Sequence, residues 1–427
     1  MLSRLLVDIS PLRGSKQFRL LFYTQAAAGV GSQIALVAVP VQVFQITHSS
    51  LAVGGLGLAE LFPLLAFAIT GGAIADAMDR RNLLRMVYAA RTLIAGLFLV
   101  NALLPSPSLI ALYVLTAAGI GLVSLGSPAS NAALPRLVPP NQLVPAQAVM
   151  NLYFNVTAVA GPAVGGLLVA TFGVQAAYVA AMVSFVLAIV ILSRLMPLPP
   201  DEGAPRANMR AILDGLAYVR TQPAVLGCFL VDTNAMVFGM STAVFPAFAV
   251  IFGGGARTVG LLFAAPSFGA LIASATSGWM RQIRRQGRAI NVCVILWGIA
   301  IVLYGLANNL AVALFFLALA GGADAISAIF RSTILLQASP DAMRGRMSGV
   351  QYAQVASAPT LGDFEAGLVA SLTNVRVSVV SGGAACIAGV FLLAAFLPAL
   401  DRYLAPTDPA AGTLSPPPSP APAGEGV

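Results

Sequence analysis

Long apolar segments, separated by short polar turns, recur along almost the whole chain. Each is long enough to cross the ~30 Å hydrocarbon layer of a bilayer as a helix. The first one is not followed by the small-residue cleavage site of a signal peptide, so we expect it to be retained. The pattern predicts twelve transmembrane helices, at residues 18–45, 51–75, 82–104, 109–134, 142–171, 175–196, 223–250, 258–280, 289–306, 309–337, 346–372 and 375–400.

The composition excludes a soluble globular fold. Of the 427 residues, 58% are hydrophobic and 9% are charged, and the mean hydropathy is +0.89. Such a chain has too few polar side chains to cover a globule of this length, so lipid must solvate much of its surface. The sequence therefore predicts an all-α, multi-pass membrane protein.

Basic residues predict how the helices are oriented. If the N-terminus is cytoplasmic, all but four of the 23 Lys and Arg residues fall on the cytoplasmic side. Arg257 and Arg376 fall outside, and Arg91 and Arg331 lie within helices. This asymmetry predicts that both termini are cytoplasmic. The net charge of +8 follows from the topology and favours contact with anionic membrane lipids rather than nucleic acid.

Weak internal repetition predicts two homologous halves. A shift of 200 residues places Pro140-Asn141 on Pro340-Asp341, and a shift of 206 places Thr70-Gly71-Gly72 on Thr276-Ser277-Gly278. Both shifts align a helix of one half with its counterpart in the other. We therefore expect an N-terminal six-helix half (1–196), a cytoplasmic linker with an amphipathic helix (197–222), a C-terminal six-helix half (223–400) and a disordered, Pro-rich cytoplasmic tail (401–427).

A charged turn between the second and third predicted helices carries the most specific motif. It reads Gly71-Gly72-Ala73-Ile74-Ala75-Asp76-Ala77-Met78-Asp79-Arg80-Arg81. With Gly72, Asp76 and the pair Arg80/Arg81 in the motif positions, it resembles the cytoplasmic loop signature of the major facilitator superfamily. The resemblance implies a charged latch, to which we also assign Asp79 and Arg346, that breaks and reforms as the two halves rock. The alternative is a turn that merely caps two helices.

A second motif, Gly161-Pro162-Ala163-Val164-Gly165-Gly166, lies in the fifth predicted helix. It resembles the core of a motif of drug/proton antiporters in the same superfamily, although Thr157 stands where that motif has another glycine. Pro162 removes one backbone hydrogen bond, and the glycines Gly161, Gly165 and Gly166 permit close helix contact. We expect a bend and a tight helix seam; packing without a role in coupling is the alternative.

Further segments resemble the enterobactin exporter branch of the superfamily. They include Val39-Pro40-Val41-Gln42, Ala342-Met343-Arg344-Gly345-Arg346 and Gly362-Asp363. The resemblance covers about residues 10–400 and implies the major facilitator fold, with twelve transmembrane helices in two pseudo-symmetric six-helix halves, in a bacterial inner membrane. The branch also includes macrolide and multidrug exporters, so the motifs do not identify the substrate. The fourth predicted helix lacks the arginine that is common in drug antiporters.

Ionisable residues within predicted helices are functional candidates, because a charge in the membrane costs a few kcal/mol. In the implied fold, helices one, four, seven and ten line the central cavity, which favours Asp232, Asp324 and Arg331. Asp324 and Arg331 are about 10 Å apart along the helix axis, so we expect substrate or water between them rather than a direct pair. Structural hydrogen bonding is the alternative. The other candidates are Glu60 and Asp363, as cavity or proton-carrying groups, Glu365, and Arg91, whose helix we expect to be peripheral.

The sequence lacks the residues that nucleotide hydrolysis, metal binding or enzymatic catalysis would need. The one lysine, Lys16, lies outside any phosphate-binding loop, and the one histidine, His48, lies in an outer turn. The sequence therefore predicts no enzyme, no metal site and no cofactor.

We expect a monomeric secondary transporter that exports an amphipathic compound by alternating access in exchange for protons. A catecholate siderophore is the resemblance-led substrate and a macrolide or other drug the alternative; a non-transporting membrane sensor or scaffold is the alternative from another class.

Overall fold

The computed structural model describes residues 8–199, 216–240 and 242–405, and within these ranges the chain is helical, without strands. Short 3-10 helices lie at Leu134–Arg136, Pro140–Gln142, Thr242–Val244 and Ser277–Gln282. The α-helices are α1 (Ser10–Gly14), α2 (Lys16–Thr47), α3 (Ser50–Ala77), α4 (Arg80–Leu103), α5 (Leu109–Ala133), α6 (Leu143–Leu192), α7 (Pro223–Asn234), α8 (Phe245–Ile251), α9 (Ala256–Ala275), α10 (Gln286–Leu306), α11 (Leu310–Ala338), α12 (Asp341–Leu372), α13 (Val375–Phe396) and α14 (Pro398–Asp401).

Twelve transmembrane segments can be recognised within the described ranges. Ten helical segments are long and apolar enough to cross a membrane. One of them contains Gly173, whose φ of 83° and ψ of 172° divide α6 into two helices. The twelfth is α12, which is 32 residues long but carries more charged residues than the others. This count is consistent with the twelve helices that the apolar pattern predicts.

Polar residues in the turns cap the N-termini of many of these helices. A side-chain oxygen in each turn accepts a hydrogen bond from a backbone N–H in the first turn of the following helix, which satisfies a donor that has no partner within the helix. The sequence pattern therefore fixes the helix boundaries locally. The capping residues are Ser15, Ser49, Asp79, Ser108, Asn309 and Asn374.

Two helix pairs, α3 with α12 and α6 with α9, form the main contacts between the halves. Small residues allow these helices to approach closely: Gly57 lies against the backbone of Thr360, and Gly367 against that of Ser50. In the second pair, a methyl group added to Gly166 would lie 2.6 Å from the carbonyl oxygen of Ala256. All three contacts lie towards the end of the bundle at which α3 and α9 begin.

The seventh transmembrane segment is interrupted, although the apolar pattern predicts one continuous helix at 223–250. After α7, residues Ala235–Gly239 form a π-helix. Met240, which follows it, is extended, and the 3-10 helix and α8 come next. Asp363 of α12 binds the start of the second part: it accepts hydrogen bonds from the Thr242 hydroxyl and the Ala243 backbone N–H. A carboxylate from a distant helix thus satisfies the backbone where the helix breaks.

Two predicted segments fall largely outside the described residues. For the amphipathic linker helix, only residues 216–221 are described, and they are helical. There the Tyr218 hydroxyl donates to the carbonyl oxygen of Ala338, and Val219 is buried against α7, α11 and α12. The predicted cytoplasmic tail lies outside the described residues from position 406 onwards.

Candidate functional site

A cavity of about 610 Å³ lies among the helices of the N-terminal half. Tyr352 of α12 contributes to its wall from the C-terminal half. Its lining is mostly aliphatic and aromatic, with polar groups on every helix from α2 to α6. The charged and polar lining residues are Gln25, Ser32, Gln33, Glu60, Tyr88, Arg91, Thr116, Ser127, Ser130, Asn131, Tyr153, Thr157, Tyr178 and Tyr352.

Arg91 faces this cavity, although the sequence favours a peripheral position for its helix. Its Nη2 atom donates a 2.7 Å hydrogen bond to the Ser32 hydroxyl of α2. The guanidinium carbon lies 4.3 Å from the centroid of the Phe185 ring, a cation–π contact. The cost of exposing an arginine to lipid turns this side chain inward even on an outer helix, and that signal was available in the sequence.

Glu60 is the other charged residue of the cavity wall. It lies on α3, one turn after Gly57, where α3 packs against α12 of the other half. Since it is only partly buried and lines an open volume, its carboxylate is accessible to a proton or a bound molecule. The structure thus brings Glu60 into the N-terminal cavity with Arg91, whereas Asp232 and Asp324 lie outside its lining.

Asp232, Asp324 and Arg331 form a separate cluster in the C-terminal half. The Nη2 atom of Arg331 lies 2.9 Å from Asp232 Oδ1 and 3.4 Å from Asp324 Oδ1. Its Nη1 atom donates to the hydroxyl of Ser327 at 2.7 Å. The side chains of Arg331 and Asp232 are 8% and 4% exposed, whereas that of Asp324 is 34% exposed. The cluster is therefore buried on one side and accessible at Asp324.

The expectation that Asp324 and Arg331 are too far apart for a direct pair is wrong. It considers only the rise between their Cα atoms. Helical side chains point towards the helix N-terminus, so the long arginine side chain extends back past Ser327 to Asp324. The two residues are in contact, and no gap for a substrate remains between their charged groups.

Asp363 is hydrogen-bonded to the interrupted seventh transmembrane segment and does not line the cavity. Both of its carboxylate oxygens accept from the Thr242 hydroxyl, at 2.6 and 2.8 Å, and Oδ1 also accepts from the Ala243 N–H at 2.9 Å. These hydrogen bonds stabilise the backbone where the seventh transmembrane segment is interrupted. Asp363 is not among the residues that line the cavity, and neither is Glu365.

The charged turn binds the segment that follows the sixth transmembrane helix. Asp79 accepts from the backbone N–H of Leu198 at 2.7 Å, and Arg81 donates to the carbonyl oxygen of Leu195 at 2.7 Å. The backbone N–H of Arg80 donates to the Leu198 carbonyl oxygen at 2.9 Å. The turn is therefore hydrogen-bonded to residues 195–198, at the start of the linker between the halves.

Other members of the predicted latch are only partly visible. Gly72 and Asp76 lie in α3, but their surroundings fall outside the described part of the structure. Arg346, near the start of α12, is exposed, and its Nη1 atom lies 3.6 Å from the sulfur of Met343. The structure thus describes the linker contacts of the turn and leaves its role as a latch between the halves as a prediction.

The glycine motif of α6 faces two different helices. An added methyl group would meet the side chain of Gln33 at Gly161, and the backbone of Ile34, 3.1 Å away, at Gly165. Gly166 instead faces Gly260 of α9, in the other half. Pro162 lies within the same helix, and its carbonyl oxygen approaches Gly260. One motif therefore packs α6 against α2 within its half and against α9 across the interface.

The chain is similar to membrane transporters in sequence and in fold. The profile of the transmembrane secretion effector family matches residues 7–414. Enterobactin exporter EntS of Citrobacter koseri is 32% identical over 391 residues, 91% of this chain and 94% of that protein, and EntS of Escherichia coli gives the same values.

Solved structures of transporters share the fold at low sequence identity. A POT family transporter in complex with 5-aminolevulinic acid matches with a TM-score of 0.74 and 13% identity, over 90% of this chain and 97% of that one. A bacterial homologue of the iron transporter ferroportin in the inward-facing state matches with a TM-score of 0.66 and 16% identity, over 91% of this chain and 99% of that one.

Proposed function

The chain belongs to the transmembrane secretion effector family of the major facilitator superfamily, in the branch of the enterobactin exporters, and on that premise we propose that it exports a catecholate siderophore in exchange for protons. Membership of this family makes it a multi-pass membrane transporter of small molecules with the major facilitator fold, and not an enzyme. The relatives that are 32% identical to it are named as exporters of enterobactin, and this name supports the proposed substrate class.

The packing of the two halves supports alternating access. Close contacts between them, such as Gly57 with Thr360 and Gly166 with Gly260, lie towards one end of the bundle. The cavity extends in the other direction, to Gln25 and Tyr153, towards the ends of α2 and α6 that begin near Lys16 and Leu143. An inward-facing carrier in the proposed orientation, with cytoplasmic termini, has this arrangement.

The observation that carries the coupling proposal is the buried cluster of one arginine and two aspartates. With both carboxylates ionised, the group of Arg331, Asp232 and Asp324 has one uncompensated negative charge in a poorly solvated site. One proton would neutralise it, and Asp324 is the member that water can reach. Protonation would remove the Asp324–Arg331 attraction, so the two protonation states differ in how tightly this site holds α11.

Transport in reconstituted vesicles tests this function. The protein would be placed in proteoliposomes with an imposed pH gradient, and movement of a metal-free catecholate siderophore and of a macrolide would be measured. We expect siderophore movement that stops when an ionophore collapses the pH gradient. Transport of the macrolide alone would favour the drug exporter, and siderophore transport that is indifferent to the gradient would contradict proton antiport. Movement of neither compound would contradict the export function.

A further inference from the structure

The Arg91 guanidinium faces the N-terminal cavity and forms no ion pair with Glu60 of the same wall or with any other described acid. Among the residues that the structure describes, no carboxylate oxygen lies within 4.0 Å of the Arg91 guanidinium. Its contacts are the neutral hydroxyl of Ser32 and the ring of Phe185. A charge within a membrane-spanning helix normally acquires a paired group of opposite sign. The pairing group of Arg91 can therefore be a molecule that enters the cavity.

Arg331 is not available to pair with a bound anion. It contacts two carboxylates and a hydroxyl, and its cluster already carries excess negative charge. A substrate anion placed there would meet Asp232 and Asp324 as well as the arginine, so repulsion would offset the attraction. Over the part of the chain that the structure describes, Arg331 is thus paired with carboxylates of the protein and Arg91 is not.

The geometry of Arg91 suits a planar anion. A guanidinium has five N–H donors in a fixed fork, and among the described residues Ser32 accepts from one of its nitrogens. The Phe185 ring covers one face of the group. Donors along the edge of the guanidinium remain for a carboxylate or an acidic phenol, which accept two parallel hydrogen bonds in this arrangement.

Aromatic rings on several helices line the same cavity as this group. Tyr88 lies one helical turn before Arg91, and its hydroxyl is 3.3 Å from Gln25 Oε1. Phe98 and Tyr178 stack with their centroids 5.2 Å apart. Such walls pack well against the ring of a ligand, and a volume of about 610 Å³ is adequate for an organic molecule of moderate size. The remaining aromatic lining residues are Tyr153, Phe154 and Tyr352.

We propose that Arg91 and the aromatic side chains around it form a binding site for an aromatic acid in the N-terminal half. This inference deepens the proposed siderophore export and rests on it for the physiological substrate. The anionic group of the ligand binds the edge of the Arg91 guanidinium, and its ring packs among Tyr88, Tyr153 and Phe185. The carboxylate cluster around Arg331, in the other half, does not contact this ligand.

Two related probes test the site by binding alone. The purified protein in lipid nanodiscs would be titrated by calorimetry with 2,3-dihydroxybenzoate and with its uncharged amide, 2,3-dihydroxybenzamide. We expect the acid to bind about ten- to a hundredfold more tightly, as for a hydrogen bond that involves charged groups. Equal affinity for the two probes in the unaltered protein would overturn the inference, and this comparison needs no variant to fold.

Variants then locate the site. Arg91→Gln should reduce the affinity for the acid to that for the amide, and Arg91→Lys should keep part of the preference. Arg257→Gln removes the same charge from an exposed position at the start of α9 and should change neither value. An unchanged preference in Arg91→Gln, with the protein folded by thermal melting, would also overturn the inference.

The outcome separates this site from the proposed function. Binding of the acid that depends on Arg91, in a protein that moves no siderophore in vesicles, would support the site and contradict siderophore export. In the opposite case, the protein transports the siderophore, but its affinity for the probes depends neither on their charge nor on Arg91. This result would support the export function and overturn the site.

Discussion

Arg331 of α11 and Asp232 of α7 form an ion pair, with Nη2 and Oδ1 2.9 Å apart, in the interior of the C-terminal half. Both side chains are almost completely buried, at 8% and 4% exposure. A buried pair is sensitive to the loss of one partner, because the other charge is then left without compensation. The pair also joins two helices that the sequence separates by most of the C-terminal half.

The first prediction concerns the energy of this pair. Arg331→Met should destabilise the protein by about 3–5 kcal/mol, because Asp232 and Asp324 would remain as uncompensated acids. The double variant Arg331→Met/Asp232→Asn should be more stable than Arg331→Met alone. Thermal melting in detergent gives the comparison, and additive effects of the two substitutions would contradict a direct interaction.

The second prediction concerns coupling through Asp324. Asp324→Asn mimics the protonated carboxyl and keeps its size, so we expect export that no longer responds to the pH gradient while the protein remains folded. Substrate-induced proton movement, followed with a pH-sensitive dye in vesicles, measures this. Glu365→Gln is the matched control, because Glu365 lies in a transmembrane helix outside the cavity and the cluster. Unchanged proton movement in Asp324→Asn would exclude Asp324 as the coupling group.

The third prediction concerns the charged turn. Asp79→Ala removes both the cap of α4 and the hydrogen bond to the Leu198 N–H, so it should destabilise the protein by about 1–3 kcal/mol. Asp76→Asn should instead lower transport without unfolding, if Asp76 acts as a gate. Melting temperature and transport rate should thus respond to different aspartates. Full activity of both Asp76→Asn and Asp76→Ala would contradict the gating role.

The fourth prediction separates the two faces of the glycine motif. Gly165→Leu would force α6 away from the backbone of Ile34, so it should lower the stability of the N-terminal half. Gly166→Leu would separate α6 from α9, so the protein should fold but lose the close contact between the halves and its transport. Val164→Leu, at an exposed position on the same helix, is the control. If both glycine variants accumulate and transport normally, the seam has no functional role.

The fifth prediction distinguishes a structural Asp363 from a proton carrier. Asp363→Asn keeps an oxygen that accepts from Thr242 and Ala243, so transport and its dependence on the pH gradient should persist. Asp363→Ala leaves those donors without an acceptor and should cost about 1–3 kcal/mol of stability. Loss of gradient dependence in a stable Asp363→Asn protein would show that the carboxylate takes part in coupling.

The sequence determines the fold class and most helix boundaries. A membrane allows few spanning structures, because each backbone polar group must be satisfied without water. Apolar length therefore predicts each span locally, and capping residues such as Ser49 and Asn374 mark where the next helix begins. The resemblance of its motifs to those of the superfamily adds the fold, which the apolar pattern alone does not specify.

Tertiary structure alone determines the partners of the intramembrane charges. Whether Arg331 reaches Asp232, whether Asp363 caps a broken helix and whether Arg91 faces a cavity depend on the rotation and axial shift of neighbouring helices. These quantities are set by contacts such as Gly166 with Gly260, between residues far apart in the chain. Helical spacing gives only the distance between Cα atoms, and a long side chain such as that of Arg331 can bridge it. The sequence therefore supplies the list of charged residues, and the packing determines which of them meet.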